Sequence, residues 1–155
     1  MATITVHGKL KIELELKRLK EQERPSIIKA IQEARAHGDL SENAEYSAAK
    51  ERQSFVEGRI AELSSKLADI QVVDPSTIKS DKVVFGATVT LLNVDTNEQV
   101  KYQLVGEDEA DVSKGKVSIM SPIARAVVGK AKGDTATVRT PKGETEYEIV
   151  KIEYV

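Results

Sequence analysis

Nine consecutive residues, Gly38-Asp39-Leu40-Ser41-Glu42-Asn43-Ala44-Glu45-Tyr46, carry three carboxylates with no basic residue between His37 and Lys50. Acids at this spacing can serve a helix start or a ligand. Gly38 can close one helix in a left-handed conformation, because it has no Cβ to clash. Asp39 can then open the next helix as its N-cap, with Glu42 three residues on completing a capping-box-like pair. The helix dipole favours acids in a first turn by roughly 0.3–1 kcal/mol each. Capping therefore explains Asp39 and Glu42 without any ligand, and residues alone leave the choice open.

The rest of the chain offers little chemistry. His7 and His37 lack a second histidine or cysteine at ligand spacing and read as surface residues. No glycine-rich phosphate loop with a lysine is present, and no serine has a recognisable nucleophile setting. The acids Glu107, Asp108, Glu109 and Asp111 read as a solvated turn. Beyond residue 75 the aromatics are Phe85, Tyr102, Tyr147 and Tyr154, which is thin for an aromatic-lined pocket.

Composition narrows the function classes. The 155 residues include 23 basic and 25 acidic side chains, a formal net charge of −2, and each half is near neutral. No global basic field draws the chain onto nucleic acid, so any such contact must come from a local patch. The absence of cysteine excludes disulfides and thiolate chemistry and fits a reducing compartment. No apolar run is long enough to span a membrane, and the N-terminus does not resemble a signal peptide.

Two helical patterns flank the acidic stretch. In the first, from about residue 8 to 37, Ile12, Leu16 and Leu19 and then Ile27, Ile31 and Ala34 follow 4–3 spacing. Leu19 and Ile27 are eight apart, one more than a heptad, and Arg24-Pro25 lies within that gap. A kink or brief break is expected there, with Pro25 opening a new segment. In the second, Ala49, Gln53, Val56, Ile60, Leu63, Leu67 and Ile70 repeat 4-3-4-3-4-3, the seam of a coiled coil. Gly58 lies off that seam. Together they predict an antiparallel helical hairpin with the acids at its tip.

Residues 72–77 read as a linker around Pro75. Beyond it the apolar period becomes two. Strands are expected at 83–92, 99–105, 116–120, 135–140 and 144–154. A short helix should follow Ser121 as N-cap and Pro122 as first residue, with Gly129 as its stop. The fold class is α+β, with residues 1–75 as the coiled-coil rod, its tip at 38–46, and residues 76–155 as a meander of about five antiparallel strands with one short helix.

The stretch from Ala34 to Tyr46 resembles the signature of the bacterial GreA/GreB transcript cleavage factors. The likeness continues through Ala48-Ala49-Lys50-Glu51 and Glu57-Gly58-Arg59-Ile60, Val84-Phe85-Gly86-Ala87-Thr88-Val89, Gly106-Glu107-Asp108-Glu109-Ala110-Asp111 and Ser121-Pro122-Ile123-Ala124-Arg125. It covers nearly the whole chain and is nearer the GreA branch than GreB. The resemblance implies an FKBP-like C-terminal domain that docks on bacterial RNA polymerase and a rod that reaches through the secondary channel. It implies a cytoplasmic factor stimulating hydrolysis of backtracked RNA by the polymerase's own active site, and no nuclease activity of its own. Asp39 and Glu42 are then the expected catalytic acids and ligands of a Mg²⁺ shared with polymerase, and Glu45 is undecided. Two carboxylates are too few for a tight Mg²⁺ site, so the free protein should bind the metal weakly.

Arg35, Lys50 and Arg52 are candidate contacts to the nascent RNA 3′ end, against a solvated helix face. Ser121 and Pro122 are candidates for polymerase docking. The rival readings are a channel-binding inhibitor without cleavage stimulation, a prolyl isomerase by fold analogy, and a coiled-coil dimerisation protein. A hairpin that satisfies its own seam favours a monomer.

Overall fold

The computed structural model describes residues 2–38 and 43–155. It divides into two compact units, one of Lys9–Ile70 and one in which Gln71–Val155 join the N-terminal residues through Gly8.

The helical unit is an antiparallel hairpin. Its first arm consists of α1 (Val6–Arg18), a π-helical turn (Leu19–Glu23) and α2 (Arg24–Arg35), and its second arm is α3 (Ala44–Ala68). The kink or brief break expected at Arg24-Pro25 takes the form of one wide π-helical turn in a continuous helix, with Pro25 in the first turn of α2. The Arg24 N–H bonds the carbonyl of Leu19, five residues back. A π turn absorbs one extra residue, which is the excess over a heptad between Leu19 and Ile27. Both residues therefore reach the buried side, at 4% and 1% exposure. Proline, lacking an N–H, is accommodated just after that turn.

The α3 seam lies where its repeat puts it. Ala49, Val56, Ile60 and Leu63 are buried against Leu19, Ile27 and Ile31, while Gln53 and Leu67 are half-buried. Ion pairs clasp the two arms outside this seam. Arg24 donates to both Glu57 oxygens at 2.8 and 2.7 Å. Arg59 does the same to Glu15 at 2.9 and 3.2 Å. Glu23 accepts from Arg52 at 2.6 Å and from Arg18 at 2.7 Å. These guanidinium bonds hold the Glu23 and Glu57 carboxyls below the usual range, and the Glu57 carboxylate holds the Arg24 guanidinium above its own.

One expectation about the chain's outer segments changes. Residues 2–5, with no reading of their own in the sequence, form β1 (Ala2–Thr5), which pairs with β2 (Ile70–Val73). The segment taken as a linker thus starts as a strand, in keeping with its β-branched residues. A 3₁₀ turn at Pro75–Thr77, capped by Asp74, follows.

The remaining unit holds a five-stranded sheet of β3 (Thr88–Asn93), β4 (Gln99–Val105), β5 (Lys116–Ser118), β6 (Thr135–Thr140) and β7 (Gly143–Glu153), ordered β5-β4-β3-β7-β6. It is not a simple meander. The β4–β5 pair is parallel, and the remaining pairs are antiparallel. The chain crosses from one sheet edge to the other between β5 and β6 through α4 (Pro122–Val127). That crossing lays Ala124 and Val127 over Val89, Leu91, Leu104 and Ile149, all nearly inaccessible. β3 begins at Thr88 rather than at residue 83, because Gly86 turns left-handed at φ 89°. Val83 exchanges hydrogen bonds with the 129–130 segment instead, each at 2.8 Å. α4 has the expected serine cap, with Ser121 Oγ accepting from the Ala124 N–H at 3.3 Å.

Candidate functional site

In sequence the acidic stretch falls between the two arms of the hairpin, and hydrogen bonds define both of its flanks. α2 ends at Arg35, and the following turn closes through His37 N–H to the Ala34 carbonyl at 3.1 Å and Gly38 N–H to the Arg35 carbonyl at 3.4 Å. Gly38 adopts φ 111°, the left-handed exit that a glycine allows cheaply. On the returning side, α3 is capped by Asn43, whose Oδ1 accepts the Tyr46 N–H at 3.0 Å. This corrects the expected cap at Asp39. The helix starts at Ala44, so the N-cap position falls on Asn43, an equally good capping residue.

Asn43 also donates its side-chain amide to the Ala34 carbonyl at 2.7 Å. His37 on one side of the interval 39–42 and Asn43 on the other thus both donate to the carbonyl of Ala34, itself 1% exposed. Asp39 and Glu42 lie outside the described residues. Glu45, the third acid, is exposed and meets His37 Nδ1 at 3.1 Å, so it bridges the two sides of the turn. Among the described residues, no group of three or more acids, histidines or cysteines could hold a metal ion.

The basic candidates differ in their surroundings. Arg52 is committed to Glu23, and Lys50 donates to Gln53 Oε1 at 3.0 Å along its own helix. Arg35 is exposed in the last turn of α2. In the sheet unit, Ser121 is half-buried by its capping role, and Pro122 is exposed.

Beside them runs an apolar groove of about 540 Å³, lined by Ile4, Phe85, Ile119 and Met120 and edged by Glu107 and Asp108. Sequence reasoning missed this groove because it joins residues from β1, the residue-85 turn and the end of β5. The acids read as a solvated turn are also divided. Glu107 and Asp108 are exposed, but Glu109 is half-buried against Thr5. The signal was a threonine three residues before Gly8 at a helix start. No helix among the described residues is long and apolar enough to cross a membrane.

Comparison with known proteins finds sequence relatives along nearly the whole chain. Residues 2–72 match the family model "Transcription elongation factor, N-terminal", and residues 78–154 match "Transcription elongation factor, GreA/GreB, C-term". Transcription elongation factor GreA of Alkalilimnicola ehrlichii is 58% identical over 152 residues, covering 97% of this chain and 96% of that protein. GreA of Neisseria meningitidis serogroup A is 54% identical over 153 residues, covering 98% and 97%. Among solved structures, the GreA factor homolog Gfh1 of Thermus thermophilus is 27% identical, covers 98% of each chain and has a TM-score of 0.44. With a helical hairpin, a mostly antiparallel sheet unit and both halves matched, the chain belongs to the GreA/GreB family of transcription elongation factors.

Proposed function

We propose that this protein docks on bacterial RNA polymerase and stimulates hydrolytic cleavage of backtracked nascent RNA in the polymerase's own active site. The observations that carry this reading are the 58% identity to GreA of Alkalilimnicola ehrlichii over nearly the full length of both chains and the presence of Asp39 and Glu42, in sequence between the two arms of the helical hairpin. The protein is not a nuclease on its own. It works in the cytoplasm, as a monomer, with its sheet unit docking through Ser121 and Pro122.

The donor set fits a shared cation rather than a resident one. Mg²⁺ prefers six oxygen ligands and is commonly held by one or two carboxylates plus phosphates and water. Asp39 and Glu42 supply two such carboxylates and would complete a site whose other ligands belong to polymerase and transcript. Bound beside a Mg²⁺ that polymerase already holds, such a second ion would help activate water and stabilise the leaving oxygen. The chain's own contribution is a helical hairpin in which the end of one arm and the start of the other are tied at Ala34, on either side of these acids in sequence. Arg35, Lys50 and Arg52 would contact phosphates of the extruded strand, positioning it without reading sequence.

The test is a competition titration on backtracked polymerase complexes, scored for both occupancy and cleavage. Asp39→Asn with Glu42→Gln preserves shape while removing two charges. That variant should occupy polymerase and compete with the wild type, yet fail to stimulate cleavage. Wild-type cleavage by the double variant at matched occupancy would reject the role of the acids. A wild-type protein that occupies and only slows polymerase would establish the inhibitor reading instead.

A further inference from the structure

We propose that Glu109 is a positioning residue for transcript cleavage, holding the root of the helical arm by completing a capping box in which its own helix has no side chain to offer. This role rests on the function proposed above.

Helix α1 begins at Val6, so Thr5 is its N-cap and Gly8 its third residue. Thr5 Oγ1 accepts the Gly8 N–H at 3.1 Å, one half of a capping box. In the usual box the third residue is an acid or amide that reaches back to the N-cap N–H. Glycine cannot do so. Here Glu109 does it from 104 positions away, its Oε1 accepting the Thr5 N–H at 2.6 Å and its Oε2 accepting the Thr5 hydroxyl proton at 2.6 Å. Thr5 is 2% exposed, so this is a carboxylate closing a covered helix start.

Two glycines make room for the arrangement. A Cβ on Gly8 would lie 2.3 Å from Glu109 Cδ, so a side chain at that position would evict the carboxylate. A Cβ on Gly106 would lie 2.4 Å from the Thr3 carbonyl oxygen, so the 3₁₀ turn Glu107–Glu109 can seat against β1 only with glycine before it. The clasp therefore joins two segments of one unit, and Gly8 is the last residue before the chain enters the helical unit.

The consequence follows from leverage. The first arm, residues 8–37, spans about 45 Å at 1.5 Å per residue. A tilt of about 5° at its first turn would move the far end by about 4 Å, whereas misplacement by about 1 Å can cost 10²-fold in rate. Loosening α1 at Thr5 should thus impair the acids far more than docking.

The experiment uses full-length Glu109→Ala and Glu109→Gln with the wild type. Hydrogen exchange at the Thr5 and Gly8 amides should accelerate at least tenfold in Glu109→Ala while β3 and β7 amides stay protected. On backtracked complexes at saturating factor, Glu109→Ala should keep its occupancy and lose at least tenfold in cleavage. Glu109→Gln, whose amide oxygen still accepts the Thr5 N–H, should recover part of that loss. Cleavage by Glu109→Ala at the wild-type rate, or equal loss of occupancy and cleavage, would overturn this role and leave the proposed function standing. A wild type that stimulates no cleavage would overturn the proposed function and this role together.

Discussion

The side-chain amide of Asn43 donates to the backbone carbonyl of Ala34 at 2.7 Å, joining the start of one helical arm to the end of the other. The same side chain caps α3 through the Tyr46 N–H at 3.0 Å. One residue thus satisfies an orphan donor of one helix and an acceptor of the other, immediately beside the interval that contains Asp39 and Glu42.

Asn43→Ala should destabilise the hairpin by about 1 kcal/mol from the lost cap, and somewhat more from the lost bond to Ala34. Asn43→Asp keeps the acceptor for Tyr46 but removes the donor, so it should fall between wild type and alanine. Thermal unfolding followed by helical circular dichroism distinguishes the three. Equal melting of all three would show that neither bond contributes.

Acid should loosen the hairpin through its inter-arm ion pairs. Glu23 is held low first by its hydrogen bond from Arg52, and Glu57 by that from Arg24. A carboxyl depressed in the folded state adds stability that is present above its unfolded value and lost as pH falls through the folded one. Helix stability should therefore hold down to about pH 4.3, the ordinary glutamate value, and decline below it. The fair comparison is with Arg24→Gln plus Arg52→Gln, in which the same titration should show a shallower decline. Parallel curves for the two proteins would remove these pairs from the explanation.

The three basic residues near the tip should separate by their surroundings. Replacing Arg35, Lys50 and Arg52 together with glutamine should weaken crosslinking of the RNA 3′ end while polymerase binding persists. Replacing Arg52 alone should also lower the hairpin's melting temperature, because it removes the bond to Glu23 that joins the two arms, whereas Arg35→Gln should not. Unchanged crosslinking in the triple variant would leave these residues as a solvated helix face.

Much of the architecture was legible from local pattern. Ala49, Val56, Ile60 and Leu63 are buried where a 4–3 repeat requires, because a helix face is set by spacing along one segment. The ranges of β4 and β6, and the Ser121 cap of α4, also follow from neighbouring residues. The extra residue between Leu19 and Ile27 announced an irregularity, and only packing against α3 decided that it would be a π turn rather than a break.

What the tertiary structure alone decided involves partners distant in sequence. β1 is four residues long and gains its meaning only from β2 some seventy residues later. The parallel β4–β5 pair and the crossing through α4 depend on which sheet edges remain free once the β3–β4 and β6–β7 hairpins have formed. Thr5 and Glu109 each look ordinary in sequence, a threonine near a terminus and an acid among acids. Their relation exists because Gly8 and Gly106 leave just enough space for one carboxylate to reach a buried helix start. Sequence determines the faces of elements through short-range periodicity; which faces and ends meet is settled by closing the chain on itself, where excluded volume and hydrogen-bond satisfaction select the partners.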